Sequence, residues 1–432
     1  MKKTNKIILT VLSVLIFASC TQKKQQQVII RFMNLESSQQ QLKIMNLIIR
    51  RFEKENPDIK IMPITGFKPE KVLATLSSGT GVDVFHWNNI AELVDKNTIV
   101  ELNGFLKESS ADIGRFHPAA VRDFTYYKKL YGLPIQIFSH AVAFNKNLLE
   151  NHGIPLPGKG WDWNDFYRLA LQMKKAGKPG ENSSTSLFSI QSLPLQAVLA
   201  SFGINGPISE KSGKIDETRR NKLIDIYTLY QKFCLEILPA PEEIEEFSGG
   251  GVSSVLAMFS MERAFLQQAP AWLLPDLLQI KNFNWDVIEM PNSRRGAPYY
   301  SYHGSAALCL AGISKNKNAA FRFMEYYTRT ASQKIYGSGK NGIPANTQAA
   351  QQTFIKPPQN ISVYLDVLDN NNFSQPRLQF QREYSDRSKE FMHDFLKGKI
   401  TPDAYLKKIE NTAREILKPY PEEFLDCNIL FE

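Results

Sequence analysis

The sequence predicts an α/β protein with two doubly wound domains. Strand-like and helix-like segments alternate from Val28 onward, a pattern typical of parallel sheets that carry helices on their faces. The chain has 432 residues, of which 43% are apolar, and this length favours two domains over one. An export signal at the N-terminus predicts that the protein works outside the cytoplasm.

The first twenty residues carry that signal. A lysine-containing start precedes an apolar stretch from Ile7 to Phe17, and Ala18-Ser19-Cys20 follows it. The apolar stretch is shorter than the roughly 20 residues that span a membrane, so we predict a signal peptide over residues 1–19. Cleavage at a nearby site, as in an ordinary secreted protein, is the alternative to cleavage before Cys20. The polar residues after Cys20 predict a flexible tether, so Cys20 and the tether occupy 20–27.

Strands and helices then alternate through residue 87. The predicted order is strand 28–34, helix 37–55, strand 59–64, helix 69–78 and strand 82–87. Asn56-Pro57 ends the first helix because the residue before proline disfavours the α conformation, and Gly79 ends the second. Sheets of this kind bind ligands beyond the carboxyl ends of their strands.

The rest of the chain is richer in helices. A second region begins after 130–137, where a strand followed by a helix is predicted within 140–153. Further strands are predicted at 286–291 and 305–313, and helical segments at 162–178, 217–238, 316–329 and 378–417. Asp162 and Asp165 have the spacing of a capping box at the start of the first of these helices. Trp161 and Trp163 are therefore expected to be structural.

Composition and motifs argue against several functional classes. Removal of the three signal-peptide lysines lowers the formal charge from +9 to +6, and the basic residues are dispersed, so nucleic-acid binding is not expected. Cys234, Cys309 and Cys427 lack the spacing of a disulfide framework or zinc site, and pairing of any two is left open. Without a catalytic or metal motif, the sequence predicts no enzyme, no cofactor and no metal.

Several stretches, taken in order, resemble the extracellular solute-binding proteins of ATP-driven sugar importers, a group that includes maltose- and glycerol-phosphate-binding proteins. They include IIRRFEKENPDIKI, LATLSSGTGVDVF, LYGLPIQ, GWDWNDF, VLAMFSMERAF, VIEMP and NGIPANT. The resemblance spans about residues 28–417. It implies a periplasmic-binding-protein-like α/β fold, in which two doubly wound lobes are joined by a three-crossing hinge and the ligand cleft lies between them.

The resemblance also implies where the lobes divide. The N-terminal lobe would comprise 28–134 plus 304–343, and the C-terminal lobe 135–303 plus 344–432, with crossings near Pro134, Gly304 and Gly342. Residues before Cys20 resemble a bacterial lipobox, with Phe17 where leucine is usual, which implies a lipid on Cys20 and attachment to the cell membrane. The implied partners are a carbohydrate ligand and the permease subunits of an ABC transporter, and the implied state is a monomer.

Candidate ligand-binding residues follow from the chemistry that sugars require. Flat aromatic faces cover the C–H face of a pyranose, and amides or carboxylates pair with its hydroxyls. Residues of these types occur near the predicted strand ends and crossings, and the resemblance adds Met258 and Gly304. The predicted ligand-binding residues are Asn34, Glu36, Trp87, Asn88, Asn89, Gln136, Phe138, Met258, Tyr299, Tyr300, Tyr302, His303 and Gly304. Gly304 matches one glycine of a pair usual in the family, and His303 replaces the other.

Alternatives remain open for residues and for function. Helix capping is the alternative role of Asn34 and Glu36, and core packing that of Trp87. The protein could instead bind a different solute, report to a membrane sensor kinase, or degrade a surface polysaccharide with two carboxylates across the scissile bond. None of the candidates is basic, which disfavours a phosphate ester.

Overall fold

The computed structural model describes residues 27–36, 38–79, 81–109, 111–177, 186–209, 212–240, 243–244, 255–368, 371–374 and 381–418. The predicted signal peptide, Cys20 and Cys427 lie outside these ranges. Within them the chain forms two main sheets and a short hairpin, with helices packed around the sheets.

The strands, in chain order, are β1 Val28–Met33, β2 Ile59–Ile64, β3 Val84–Trp87, β4 Thr125–Tyr126, β5 Lys129–Leu130, β6 Gly132–Phe138, β7 His140–Asn145, β8 Phe188–Ile190, β9 Ala264–Pro270, β10 Trp285–Glu289, β11 Tyr300–Leu310, β12 Ile343–Pro344 and β13 Asn371–Ser374. The first sheet has the order β12-β6-β11-β3-β1-β2, with β13 paired to β11. The second has the order β10-β7-β9-β8, and β4 pairs with β5 as the separate hairpin.

The first sheet is parallel only in part. β1 runs parallel to β2 and β3, as the alternation of strands and helices predicted. β11 runs antiparallel to β3 and β6, so the sheet as a whole is mixed. The reason is connectivity, because β11 enters the first sheet only after the chain has passed through the second sheet. It then runs in the direction opposite to β3 and β6.

The helices, in chain order, are α1 Gln39–Glu55, α2 Glu70–Ser78, α3 Ala91–Asp95, α4 Asn103–Glu108, α5 Pro118–Asp123, α6 Lys146–Asn151, α7 Trp163–Ala176, α8 Leu195–Ser201, α9 Arg220–Glu236, α10 Ala257–Ser260, α11 Leu274–Leu277, α12 Lys317–Thr328, α13 Thr330–Ser338, α14 Thr347–Thr353, α15 Val363–Leu368, α16 Gln381–Leu396 and α17 Pro402–Leu417. The predicted C-terminal helical segment is therefore two helices. Gly398, with φ +71°, lies in the break between them, and Pro402 occupies the first position of α17, where a missing N–H costs no hydrogen bond.

Local signals explain several helix ends. Ser38 and Gln41 form a capping box at the start of α1, and Gly79 ends α2 with φ +73°, a conformation that glycine adopts without strain. The capping box predicted from Asp162 and Asp165 is confirmed. Trp161 and Trp163 are buried beside it, 3% and 1% exposed, which confirms their structural role.

Apolar packing divides the chain differently from strand pairing. Leu133 and Ile135 of β6 pack in the core of the first sheet, whereas Ile137 and Phe138 pack with residues of the second sheet. β11 is divided in the same way: Tyr302 packs in a core beside the second sheet, and Ala306–Leu310 pack in the core of the first sheet. Both strands thus pass from one packing environment to the other.

Candidate functional site

Polar side chains gather where β6, β7 and β11 pass between the two sheets. Ser139 separates β6 from β7, so the chain changes sheet there without a loop. Two buried groups of polar residues lie at this junction. We call them the Glu36 cluster, which contains Asn34, Glu36, His86, Gln136 and Tyr336, and the His140 cluster, described below.

Asn34 is the centre of hydrogen bonding at the end of β1. Its side-chain oxygen accepts from the backbone N–H of Glu36 at 3.1 Å and lies 2.8 Å from His86 Nδ1. Its amide nitrogen lies 3.1 Å from Glu36 Oε2 and 2.9 Å from Met45 Sδ. Burial lowers the pKa of His86 to about 4, so the imidazole is neutral at pH 7. Asn34 therefore holds the loop after β1 against β3 and α1.

Glu36 is a buried carboxyl group, and its residue is 6% exposed. Burial raises its pKa to about 7, although hydrogen bonds from Asn34 and Tyr336 oppose the rise. The Tyr336 hydroxyl lies 3.0 Å from Glu36 Oε1 and 2.9 Å from Gln136 Oε1. Three predicted residues, Asn34, Glu36 and Gln136, are thus brought together, and Tyr336 connects them.

The His140 cluster contains Asp123, His140, Gln268, Tyr302 and His303. The imidazole of His140 stacks on the ring of Tyr302, with centroids 4.0 Å apart and planes inclined by 22°. Its Nδ1 lies 2.5 Å from Gln268 Nε2 and 3.3 Å from the Tyr302 hydroxyl. His303 Nε2 lies 3.5 Å from Asp123 Oδ2. The second sheet thus contributes an imidazole and an amide to the junction, and β11 contributes an aromatic ring and a second imidazole.

Burial keeps both imidazoles of this cluster uncharged at neutral pH. It lowers the pKa of His140 to about 3, with a further decrease from the charge of His303. It lowers the pKa of His303 to about 4, with a further decrease from Arg122. Among the described residues, none pairs with the buried His140 Nε2.

Phe138 and Gly304 meet directly across β6 and β11, where they are register partners. A Cβ built on Gly304 would lie 2.2 Å from Phe138 Cζ, which is far inside van der Waals contact. Glycine is therefore required here by the aromatic ring, and the need is steric. The ring of Phe138 is 8% exposed.

The end of β3 and the loop after it hold three candidates in different surroundings. Trp87 is 8% exposed and packs edge-on against Phe85, with ring centroids 6.3 Å apart. Asn88 is exposed, and Asn89 accepts the backbone N–H of Ala91 at 3.3 Å. Asn88 is the member of this group with a free approach to solvent.

Met258, Tyr299 and Tyr300 belong to neither cluster. The side chain of Met258 is fully buried, and its backbone N–H donates to Gln191 Oε1 at 3.2 Å. Tyr300 is half-buried and lies beside Gly203. Tyr299 lines a cavity of about 460 Å³ within the second region, together with Trp161, Glu289 and residues of α15.

The described residues contain no group of His, Cys, Asp and Glu side chains that could hold a metal ion. None of their helices is long and apolar enough to cross a membrane. Cys234 and Cys309 are free thiols, and burial raises the pKa of both, that of Cys234 to about 12. These thiols are therefore protonated at neutral pH.

A family model for bacterial extracellular solute-binding proteins matches residues 36–334. The chain belongs to that family. This solute-binding protein is 23% identical over 389 residues to a Brucella abortus protein described as a binding protein, a match that covers 85% of this chain and 88% of the relative. It is also 23% identical over 228 residues to a maltooligosaccharide ABC transporter solute-binding lipoprotein of Streptococcus pneumoniae, covering 51% of this chain and 50% of the relative.

Solved structures give this solute-binding protein the periplasmic-binding-protein-like fold. An ABC substrate-binding protein of Listeria monocytogenes, in complex with cycloalternan, has a TM-score of 0.78 at 19% identity and covers 91% of this chain and 99% of that one. The GacH receptor of Streptomyces glaucescens, studied with acarbose, has a TM-score of 0.74 at 17% identity, with coverage of 91% and 100%. The family and these structures are binding proteins rather than enzymes.

Sequence reasoning missed the residues that complete both clusters. Tyr336, His86, His140 and Gln268 were not among the predicted ligand-binding residues, whereas Tyr302 and His303 were. One signal was available: His140 follows the candidates Gln136 and Phe138 closely in the sequence, at the start of β7. Tyr336 offered no local signal, because its partner Glu36 lies 300 positions earlier.

Proposed function

We propose that this protein captures a carbohydrate between two lobes and delivers it to the permease of an ABC importer. The observation that carries the proposal is the convergence of carboxyl, amide, imidazole and aromatic side chains at the junction of the two sheets. These are the groups that pair with sugar hydroxyls and cover pyranose faces. Structures of similar fold with cycloalternan, acarbose or mannotriose support the same ligand class.

The lobe boundaries belong to this proposal. We assign residues 28–134 plus 304–343 to the N-terminal lobe and 135–303 plus 344–432 to the C-terminal lobe. The changes in apolar packing within β6 and β11 support these divisions. A ligand that binds the closed form better than the open form would draw the lobes together.

Attachment and partners complete the proposal. Cys20 would carry the lipid, and the polar tether would leave a monomeric binding domain free to reach the permease. A lipoprotein relative supports this assignment. Mass spectrometry of the N-terminal peptide from membranes should show a diacylated Cys20, and Cys20→Ala should release the protein from the membrane. An unmodified Cys20 in the mature chain would refute the anchor.

The ligand class can be tested by thermal shift with a panel of mono- and oligosaccharides on the chain that begins after Gln27. A ligand at about 100 times its Kd stabilises a protein by about 2.7 kcal/mol, which raises Tm measurably. We expect at least one sugar to do so. A response only to phosphate esters, peptides or polyamines would overturn the carbohydrate assignment, and release of reducing sugar would overturn the binding role.

Asn88 is the residue best suited to a site-directed test. It is exposed and follows the last residue of β3, so Asn88→Ala should leave the fold intact. If this loop faces the ligand, the variant should bind a confirmed sugar about fivefold to tenfold more weakly, the effect of one lost hydrogen bond. An unchanged Kd would remove the loop from the site. Asn151→Ala is a suitable control, because Asn151 is also exposed. Asn97→Ala is not, because Asn97 has a positive φ.

A further inference from the structure

Tyr336 stands where three separate parts of the chain meet. Its hydroxyl lies 3.0 Å from Glu36 on the loop after β1, 2.9 Å from the Gln136 side chain on β6 and 3.2 Å from the carbonyl oxygen of Asn341 before β12. Tyr336 itself is 0% exposed and closes the end of α13. One hydroxyl therefore joins the loop after β1 to two strands at the junction between the sheets.

A single hydroxyl proton cannot serve all three oxygens. When Glu36 is ionised, it is the strongest acceptor, so Tyr336 donates to it and Gln136 Oε1 loses that donor. When Glu36 is protonated, it can donate to the tyrosine oxygen, and Tyr336 is then free to donate to Gln136. The two protonation states of Glu36 thus give two different hydrogen-bond arrangements at β6.

We propose that Tyr336 is a positioning residue that relays the protonation state of Glu36 to Gln136 on β6, the strand that leads from the first sheet into the second. The inference deepens the proposed function, because Glu36 and Gln136 are candidate ligand contacts. Protons would thereby tune capture of the carbohydrate. Ionised Glu36 binds sugar hydroxyls through charge-assisted hydrogen bonds, so the affinity should be higher when it is ionised.

The packing around Gln136 restricts where its amide can lie. A Cβ built on Gly342 would lie 2.1 Å from Gln136 Oε1, and Gly342 has φ +147°. Glycine is thus the residue that leaves room for the amide at this point. The side chain is 7% exposed, so water has little access to replace a lost tyrosine donor.

The surroundings of Glu36 contain few other titratable groups. Tyr327 of α12 and Tyr336 of α13 face it, and burial raises the pKa of both phenols, so both stay protonated. His86 of β3 reaches Asn34 and is neutral. On the α1 side, the uncharged sulfur of Met45 lies 2.9 Å from the amide nitrogen of Asn34. The pKa of Glu36, raised by burial to about 7, therefore places the switch near neutral pH.

The relay can be measured in the ligand-free protein by NMR. With ¹³C-labelled glutamate and ¹⁵N-labelled glutamine, the Glu36 carboxyl and the Gln136 side-chain amide are followed from pH 5 to pH 9. In the wild type, both resonances should titrate with one midpoint near the pKa of Glu36. In Tyr336→Phe, the Glu36 midpoint should rise by about one pH unit because a donor to the carboxylate is lost, and the Gln136 resonance should stop titrating.

Tyr327→Phe is the matched control, since Tyr327 is an equally buried tyrosine near Glu36 that makes the same chemical change. It should keep the wild-type midpoint and the Gln136 titration. A Gln136 resonance that titrates unchanged in Tyr336→Phe would overturn the relay, as would a wild-type Gln136 that does not respond to pH. A purely structural role of Tyr336 would lower Tm without moving either midpoint.

Ligand affinity separates this inference from the proposed function. For a sugar identified by thermal shift, the wild type should bind about tenfold more tightly at pH 8 than at pH 6, and Tyr336→Phe should move that change to higher pH. If no sugar binds but the NMR midpoints behave as described, the carbohydrate assignment fails and the relay stands. If a sugar binds with the same affinity at both values of pH, the tuning of capture is refuted.

Discussion

The two buried polar clusters at the junction both hold ionisable side chains away from water, but the ionisable groups differ. The Glu36 cluster buries a carboxyl group whose pKa is raised, whereas the His140 cluster buries two imidazoles whose pKa values are lowered. In both, burial disfavours the charged form. The comparison teaches that the charge of the junction changes near neutral pH through Glu36 and only in acid through the two imidazoles.

Glu36 and His140 make opposite contributions to the pH dependence of stability. A buried histidine binds its proton less readily in the folded state than in the unfolded state, so folding stability falls as pH drops below about 6.5. A buried glutamic acid binds its proton more readily in the folded state, so stability falls as pH rises from about 4.5 toward 7. Variants of each cluster should therefore change opposite slopes of one curve.

The largest effect is expected for His140→Gln. Because the pKa of His140 is about 3 against about 6.5 for an unfolded histidine, the wild type should lose up to about 4 kcal/mol through this residue as pH falls from 6.5 toward 3.5. The variant should lack that loss and unfold at lower pH, measured by circular dichroism. Exposed His393→Gln should keep the wild-type curve. Equal acid midpoints for His140→Gln and the wild type would contradict burial of a neutral imidazole.

Glu36→Gln tests the fall in folding stability as pH rises. The wild type should lose about 3 kcal/mol of unfolding free energy between pH 4.5 and pH 8 through Glu36, and the variant should not. The variant should thus gain stability relative to the wild type as pH rises, as measured by urea unfolding at both values of pH. Glu108→Gln, on an exposed helix end, is the control. A constant difference across this range would show that Glu36 titrates normally.

Gly304→Ala should disturb the contact between β6 and β11 rather than a charge. The added methyl group would overlap the ring of Phe138, and overpacking of this kind costs about 2 kcal/mol. Urea unfolding at pH 7 measures the loss. Gly104→Ala is matched, because a Cβ there meets nothing within 4 Å. A loss below about 0.5 kcal/mol would mean that Phe138 moves freely.

Tyr302→Phe should have the smallest effect. It removes the hydroxyl 3.3 Å from His140 Nδ1 but keeps the stacked ring, so the expected loss is about 1 kcal/mol. Because Gln268 still reaches the same nitrogen, the acid slope should stay that of the wild type. A changed slope of stability against pH in acid would show that the tyrosine, and not burial alone, sets the protonation of His140.

The sequence predicted the elements of the first sheet better than the junction. Strand 59–64, the α1 and α2 ends and the Asp162 capping box depend on neighbours a few residues away, so local patterns identify them. The direction of β11 and the contacts of Tyr336 depend on residues far along the chain. Asn34 and Glu36 were predicted because such sheets bind ligands beyond the carboxyl ends of their strands, and Gln136 because it follows the first implied crossing. His86 and His140 were not predicted, because neither spacing nor charge marks a buried neutral imidazole.

β11 also has a consequence for how the protein folds. The strand that completes the first sheet beside β3 begins at Tyr300, so the edge of β3 has no partner until more than two thirds of the chain is available. Pairing between such distant segments is slow, because a long loop must close before any contact forms. Open sheet edges recruit foreign strands. A chain truncated before Tyr300 should therefore aggregate rather than fold as half a protein, and the two regions must be acquired together.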